Sequence, residues 1–328
     1  MGLKQKIGKK ILNSSGLLKH YTKQIDKLNK KVERLEKENK STNRLLNTLY
    51  LDYELTPSPL LKNFRDLSLE LLRFMDNVCI KYNLEWWMRG GTFLGAIRHD
   101  GFIPWDDDMD VGIMRADYNQ FVDALPEELK RNNLDNKIKI NFRQRNAFVE
   151  GATSFLQLFY YNDLSSSARI DLTALDVFPF DYMKDYNGED FGQLYEDVRM
   201  QYYHDLVDTG DYEYSIGKVY ESLNLTYEKT GYMLNGVEGS AGPNRINKLQ
   251  VFNTDGIQPF KRVKFVKYDF PGPKDKDYYL NNYYGDYWKV PRVLTFHQRM
   301  GRLRKYQNIV EITEKEANYL KEINDNFE

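Results

Sequence analysis

Four carboxylates in five residues, Asp106-Asp107-Asp108-Met109-Asp110, are the part of this 328-residue chain best suited to do chemistry. They follow the apolar run Phe102-Ile103-Pro104-Trp105 and precede Val111-Gly112-Ile113, so both flanks draw the segment toward an interior. Two like charges about 4 Å apart repel by roughly 4 kcal/mol at an effective dielectric near 20, so acids beside a core require water, protonation or a cation. A divalent cation meets that need most simply. On an extended segment Asp108 and Asp110 project to one face about 7 Å apart, and a metal between them touches both. Hard oxygen ligands with positions left for water and phosphate describe Mg²⁺, or Mn²⁺, in phosphoryl transfer. A third acid from a neighbouring strand would complete the set. Asp171 in Arg169-Ile-Asp-Leu172 and Asp176 in Ala174-Leu-Asp-Val-Phe-Pro179 are the candidates, each polar within an apolar run. The bland alternatives for the acid run are an exposed loop or a calcium-binding turn.

Upstream, Gly90-Gly91-Thr92 reads as a turn whose backbone can approach phosphate oxygens, with the Thr92 hydroxyl as a further donor. Arg98 and His99 lie between that turn and the acids. Arg98 suits bidentate phosphate contact, or serves as counter-ion to the aspartates.

These residues need elements to hold them. Leu67, Leu71, Phe74, Val78 and Tyr82 recur at helical spacing and predict an amphipathic helix ending near Asn83. Leu84–Met88 reads as a strand, Phe93–Ile97 as a short apolar piece, Met109–Met114 as a strand, and Asp117–Arg131 as a helix. Further strands are expected at Phe155–Tyr160, Ile170–Phe178 and Val263–Tyr268. The mixture lacks the regular alternation of a doubly wound sheet, so the expected class is α+β, a mixed sheet flanked by helices.

Ahead of this domain, Leu18, Tyr21, Ile25, Leu28, Val32 and Leu35, then Leu46 and Leu49, follow a heptad pattern interrupted by polar Asn39 and Thr42. A coiled-coil helix over 1–54 and a catalytic domain over 55–328 are therefore expected, divided at Thr56-Pro-Ser-Pro59, with a homo-oligomer joined through the helix. Residues 1–40 hold 12 Lys and Arg against 4 Asp and Glu, so with the chain at −1 overall the remainder stands near −9. Lys4, Lys6, Lys9 and Lys10 beside Ile7, Ile11 and Leu12 suit peripheral contact with anionic lipid. An acidic main domain argues against nucleic-acid binding.

The single cysteine, Cys79, lies at helical spacing among apolar residues and fits a reducing compartment, and the four histidines lack zinc-ligand spacing. No apolar stretch is long enough to span a bilayer and no secretory signal follows the first lysines, so the expected location is cytoplasmic, with contact on the inner membrane face.

The stretch Arg89-Gly-Gly-Thr-Phe-Leu-Gly-Ala-Ile-Arg-His-Asp-Gly-Phe-Ile-Pro-Trp-Asp-Asp-Asp-Met-Asp-Val-Gly112 resembles the signature of the LicD family, which includes the fukutin-like transferases. The likeness continues at Asp176-Val-Phe-Pro179 and Tyr284-Gly-Asp-Tyr-Trp-Lys-Val-Pro291, and so covers about residues 62 to 300. It implies a nucleotidyltransferase fold that moves a phospho-alcohol, such as phosphocholine, ribitol phosphate or glycerol phosphate, from a CDP-linked donor to a glycan hydroxyl. By motif position Asp108, Asp110 and Asp176 would bind Mg²⁺, Asp106 would support them, and Gly91 with Thr92 would hold the donor phosphates. Either Asp106 or Asp171 could take the hydroxyl proton. Phe93, where an aliphatic residue is frequent, and Arg89 beside the first glycine depart from the pattern. A choline headgroup would need an aromatic box, which Tyr278, Tyr279, Tyr283, Tyr284, Tyr287 and Trp288 are dense enough to supply.

A rival reading is an Asp-x-Asp glycosyltransferase using a nucleotide sugar, against which the Gly-Gly-Thr turn before the acids counts. A second rival leaves the coiled coil as the working part and the remainder as scaffold.

Overall fold

Ser58 and Pro59 start the first helix of the main domain. The Ser58 hydroxyl accepts from Leu61 N at 3.3 Å, and Pro59 occupies a position whose N–H has no helical partner. The protein is seen in a computed structural model that describes residues 16–52, 56–141, 155–165, 168–186, 188, 190–240, 249–289 and 299–328. They fall into two compact units, Met1–Pro57 and Ser58–Glu328.

The first unit is the helix α1 (Gly16–Asp52). The expected heptad residues Tyr21, Ile25, Leu28, Val32 and Leu35 lie on it, 48% to 59% exposed. The lysine-rich leader and the Leu18 and Leu49 side chains lie outside the described residues. Among the described residues, no helix is long and apolar enough to cross a membrane.

The second unit is α+β. Its elements run α2 (Pro59–Lys81), β1 (Trp86–Met88), α3 (Gly90–His99), β2 (Asp110–Met114), α4 (Arg115–Arg131), β3 (Ile138–Asn141), β4 (Leu156–Ser165) and β5 (Ala168–Met183). There follow α5 (Phe191–Thr209), α6 (Tyr212–Ser222), β6 (Leu225–Thr226), β7 (Tyr232–Asn235), β8 (Val251–Asn253) and α7 (Thr254–Ile257). The chain continues with β9 (Lys261–Phe265), β10 (Tyr268–Gly272), α8 (Lys276–Tyr284), α9 (Arg299–Leu303) and α10 (Ile309–Asp325).

The sheet runs β1-β2-β5-β4-β3, with β6 and β7 also pairing β5 and β8 pairing β7. Among the described residues only β2 and β5 pair in parallel; the other pairs of this sheet are antiparallel. One face packs on α2: Thr173 Oγ1 and Ser68 Oγ share a 2.6 Å hydrogen bond, and Trp86 Nε1 donates to Asp76 at 3.0 Å. Alternation along the strands then sends Asp110, Asp176, Phe178 and Phe180 to the opposite face, with the Trp87 ring edge-on to Phe180 at 4.8 Å between centroids.

Leu60, Phe64, Leu67, Leu71, Phe74, Met75 and Val78 are buried along α2, as its spacing predicts. Helix α10 packs on it, where Asn324 Nδ2 donates to Glu70 O at 2.8 Å and Arg73 pairs with Asp325 at 2.6 Å. A smaller core gathers Met183, Tyr195, Tyr202, Leu206 and Leu234 around α5 and α6. Between the cores sits a buried ion cluster. Arg115 donates to Asp181 at 2.7 and 2.9 Å and to Glu238 and Tyr212, while Tyr220 OH donates to Asp181 at 2.7 Å.

Three local expectations are corrected. Gly90-Gly91-Thr92 is the first turn of α3 and not a separate turn, and Phe93–Ile97 continues that helix. The strand expected from Met109 begins at Asp110, so Asp106 to Met109 lie on the segment that enters it. Val263–Tyr268 is two strands, because Val266, at φ 59°, turns the chain back into β10.

Candidate active site

The backbone of Asp110 is clamped from two sides. Its carbonyl accepts from Arg89 N at 3.0 Å, and its N–H donates to the Thr92 hydroxyl at 2.8 Å. Thr92 is thereby placed as a brace between α3 and β2. The parallel pairing sets Asp110 opposite Asp176, and adjacent strands stand about 4.8 Å apart, so the two carboxylates share a neighbourhood. Asp176 N donates to Met109 O at 2.9 Å, and its Oδ1 accepts from Gln157 Nε2 at 2.9 Å.

Both glycines at the start of α3 are pressed against acids. A β-carbon on Gly91 would stand 2.8 Å from Asp106 Oδ2. One on Gly90 would stand 3.2 Å from Asp110 Oδ2 and 3.4 Å from the Tyr283 hydroxyl, and Gly90 itself has φ +53°. Asp106 and Asp110 thus face the same helix N-terminus, where the backbone dipole favours negative charge. Asp108 lies half-buried between them on the chain that enters β2.

The fourth acid of the run has a different place. Asp107 is buried, its Oδ2 accepts from Met300 N at 3.1 Å, and its Oδ1 has no hydrogen-bond partner. It ties the acidic segment to α9. Arg65 holds the preceding turn by donating to Ile103 O at 2.9 Å and Pro104 O at 3.0 Å. Beside these residues opens a cavity of about 470 Å³ lined by Trp105, Asp106, Asp107, Arg302, Arg304 and Lys305.

Asp171 is drawn away from this group, paired with Arg299 at 2.9 Å and Arg302 at 3.5 Å. Arg98 donates to the Tyr287 carbonyl at 2.8 Å and to His99 Nε2 at 3.0 Å. Burial, then the charges of Arg98 and Arg65, push His99 down to about 4. It is therefore neutral near pH 7 and has no proton to offer as an imidazolium.

The six aromatics do not form one box. Tyr279 is buried, with its hydroxyl accepting from Gly90 N at 3.2 Å, and Tyr278 accepts from Asn253 N at 2.8 Å. Tyr287 is buried, while Tyr284 and Trp288 are exposed. Tyr283 is brought to Gly90 beside Asp110, with Tyr279 and Tyr284 against its ring at 5.8 and 4.7 Å. Arg89 covers that region from within: it is 1% exposed and stacked on Phe178. Burial works against its charge, but electrostatic interaction with Tyr283, Asp110, Tyr279 and Tyr284 outweighs it and holds its pKa above the ordinary value. The parts played by Asp107, Arg65, Tyr283 and the Arg89 side chain have no local sequence signature. They arise from contacts between distant segments.

Among the described residues, no three Asp, Glu, His or Cys side chains are gathered closely enough to cage a metal ion by themselves. A Mg²⁺ site of the phosphate-handling kind uses only one or two carboxylates, its other positions going to water and phosphate. Asp110 and Asp176 as neighbours, with Asp106 toward the same helix end, fit that donor set.

Residues 83–208 match the model of the LicD/FKTN/FKRP nucleotidyltransferase domain. The lipopolysaccharide cholinephosphotransferase LicD of Haemophilus influenzae is 47% identical over 62 residues, 19% of this chain and 23% of that protein. The ribitol 5-phosphate transferase FKRP of Homo sapiens is 37% identical over 86 residues, 24% of this chain and 17% of that protein. An uncharacterized protein of Rickettsia typhi is 43% identical over 58 residues, 18% and 19% of the two chains. The chain spans less than a quarter of the length of each of these relatives.

Proposed function

We propose, from the match of residues 83–208 to the LicD/FKTN/FKRP nucleotidyltransferase domain, that the chain transfers a phospho-alcohol from a CDP-linked donor to a glycan hydroxyl, releasing CMP. The observation that carries this reading is the facing of Asp110 and Asp176 across the parallel pair, beside a helix N-terminus where Gly90 and Gly91 bring the backbone close to Asp110 and Asp106.

The residues divide the work as follows. Asp110 and Asp176, with Asp108 on the entering segment, hold Mg²⁺ or Mn²⁺. When bound, that ion supplies positive charge against the phosphoryl oxygens of the donor. Gly90 and Gly91 let the Asp110 and Asp106 carboxylates sit against the start of α3, the helix end that the donor phosphates approach, and Thr92 keeps Asp110 in place. The acceptor oxygen forms a bond to the phosphorus distal to cytidine, the bond from that phosphorus to the CMP oxygen breaks, and Asp106 takes the hydroxyl proton. Asp171 is the poorer base, since Arg299 and Arg302 already hold it. Water is kept from the floor of the site by Phe178 and Tyr279, both buried.

Two partners complete the proposal. The exposed stripe Tyr21, Ile25, Leu28, Val32 and Leu35 on α1 suits a second copy of the same helix. The lysine-rich leader suits the inner face of a membrane, near a lipid-linked acceptor.

The deciding experiment incubates the full chain with Mg²⁺ and a panel of CDP-alcohols, UDP-sugars and GDP-sugars and measures nucleotide release. CMP release that Asp110→Asn abolishes supports the proposal. Release of UDP or GDP from the sugars, with none of CMP, would establish the glycosyltransferase alternative.

A further inference from the structure

One buried charge at the candidate site has no part in the transfer just described. Arg89 extends from the junction of β1 and α3 onto the face that bears Asp110 and Asp176. Its guanidinium carbon lies 4.0 Å from the centre of the Phe178 ring, 5.6 Å from that of Tyr283 and 5.8 Å from that of Phe180. Both Nε and Nη2 are buried without a hydrogen-bond partner. Leaving two N–H donors of a cation unpaired in the interior is unfavourable, so a group that accepts from them gains more than it would in water.

Two consequences follow for any group that comes up to Arg89 beside Asp110. A quaternary ammonium is recognised by aromatic faces, and the faces nearest Asp110 already carry a guanidinium, whose charge would repel it. An alcohol with several hydroxyl groups meets the opposite situation, because its oxygens accept from Nε and Nη2. Resting on the CDP-linked donor reading above, we infer that Arg89 determines the class of alcohol transferred: a polyol is accepted and a quaternary-ammonium alcohol is rejected.

The test is titration calorimetry of the full chain with Mg²⁺ against CDP-glycerol, CDP-choline and CMP, for the native protein and for Arg89→Met, Arg89→Gln and Arg89→Lys. The native chain should bind CDP-glycerol at least about tenfold more tightly than CDP-choline. Arg89→Met, which removes the charge and the donors, should bring the two within about threefold, chiefly by gaining CDP-choline. Arg89→Lys retains the charge and should retain most of the exclusion. Should Arg89→Met fail to give the native melting profile, the ratio in Arg89→Gln decides in its place. If Arg89 is only a counter-ion for Asp110, uncharged variants will weaken both donors by the same factor and leave the ratio unchanged, which overturns the inference. A native preference for CDP-choline overturns it equally, yet leaves the donor reading standing. Failure of all three nucleotides to bind removes the donor reading and the inference with it.

Discussion

Replacing Gly91 by alanine separates stability from activity. The new methyl would start 2.8 Å from Asp106 Oδ2, closer than a β-carbon and an oxygen can remain, so the carboxylate must retreat by a few tenths of an ångström. Gly91 is helical, and alanine in a helix is better than glycine by roughly 0.5–1 kcal/mol, less at a helix end. Melting should therefore hold or rise, by about 1–3 °C for a unit of this size. Activity should fall. A displacement of 1 Å at a reacting centre can cost about a hundredfold, so a shift of half that predicts a loss in kcat of roughly tenfold. Gly90→Ala makes the contrast, because its φ of +53° adds about 1–2 kcal/mol of backbone strain to the approach toward Asp110. It should lose stability and activity together. Melting by calorimetry and CMP release on the same preparations read both quantities. A Gly91→Ala protein with native kcat would refute the placement of Asp106 at the reacting centre.

Asp176→Asn should retain the fold and lose at least about a hundredfold in metal-dependent CMP release, checked by circular dichroism beside the assay. Arg115→Met leaves Asp181 and Glu238 buried and uncompensated, and should cost about 3–5 kcal/mol in urea unfolding. Since the pKa of His99 falls to about 4 in the folded state from an ordinary 6.5, the unfolded chain binds more protons between those values. Stability should thus decline as pH drops from 6.5 toward 4, and His99→Gln should flatten that decline while leaving the activity profile above pH 6 unchanged. Exchanging Leu28 and Leu35 for Asp should convert the expected oligomer to a monomer by light scattering, with native mass in that variant's parent as the control.

Much of the frame was legible because the periodicity of α2, β4 and β5 is set by residues that are in fact buried. Asp176 stood out as one polar residue in an apolar strand, and the strand pairing does set it beside Asp110. Asp171 gave the same signal, yet Arg299, 128 positions away, holds it. No local pattern separates those two cases. Helix α3 was misread because paired glycines usually mark a turn, whereas here they sit in a first helical turn that carboxylates crowd. The β9–β10 hairpin was missed because Val266 and Lys267 are not the residues that advertise a tight turn. Asp107 looked like one acid among four. Its burial follows from a backbone N–H in α9, nearly two hundred residues on.

The parallel pairing of β2 with β5 has one more consequence. The ladder opens on Asp110 opposite Asp176 and closes on Met114 opposite Phe180, and the next residue of each chain, Arg115 at the start of α4 and Asp181, forms a buried ion pair just past its last rung. A slip of one residue turns a strand's side chains to the wrong face, and a slip of two sets Arg115 beside Pro179 or Met183 and strands its charge. The ion pair beyond the far end therefore penalises alternative pairings. A chain that has settled with Arg115 satisfied has, by the same act, brought its acids opposite one another.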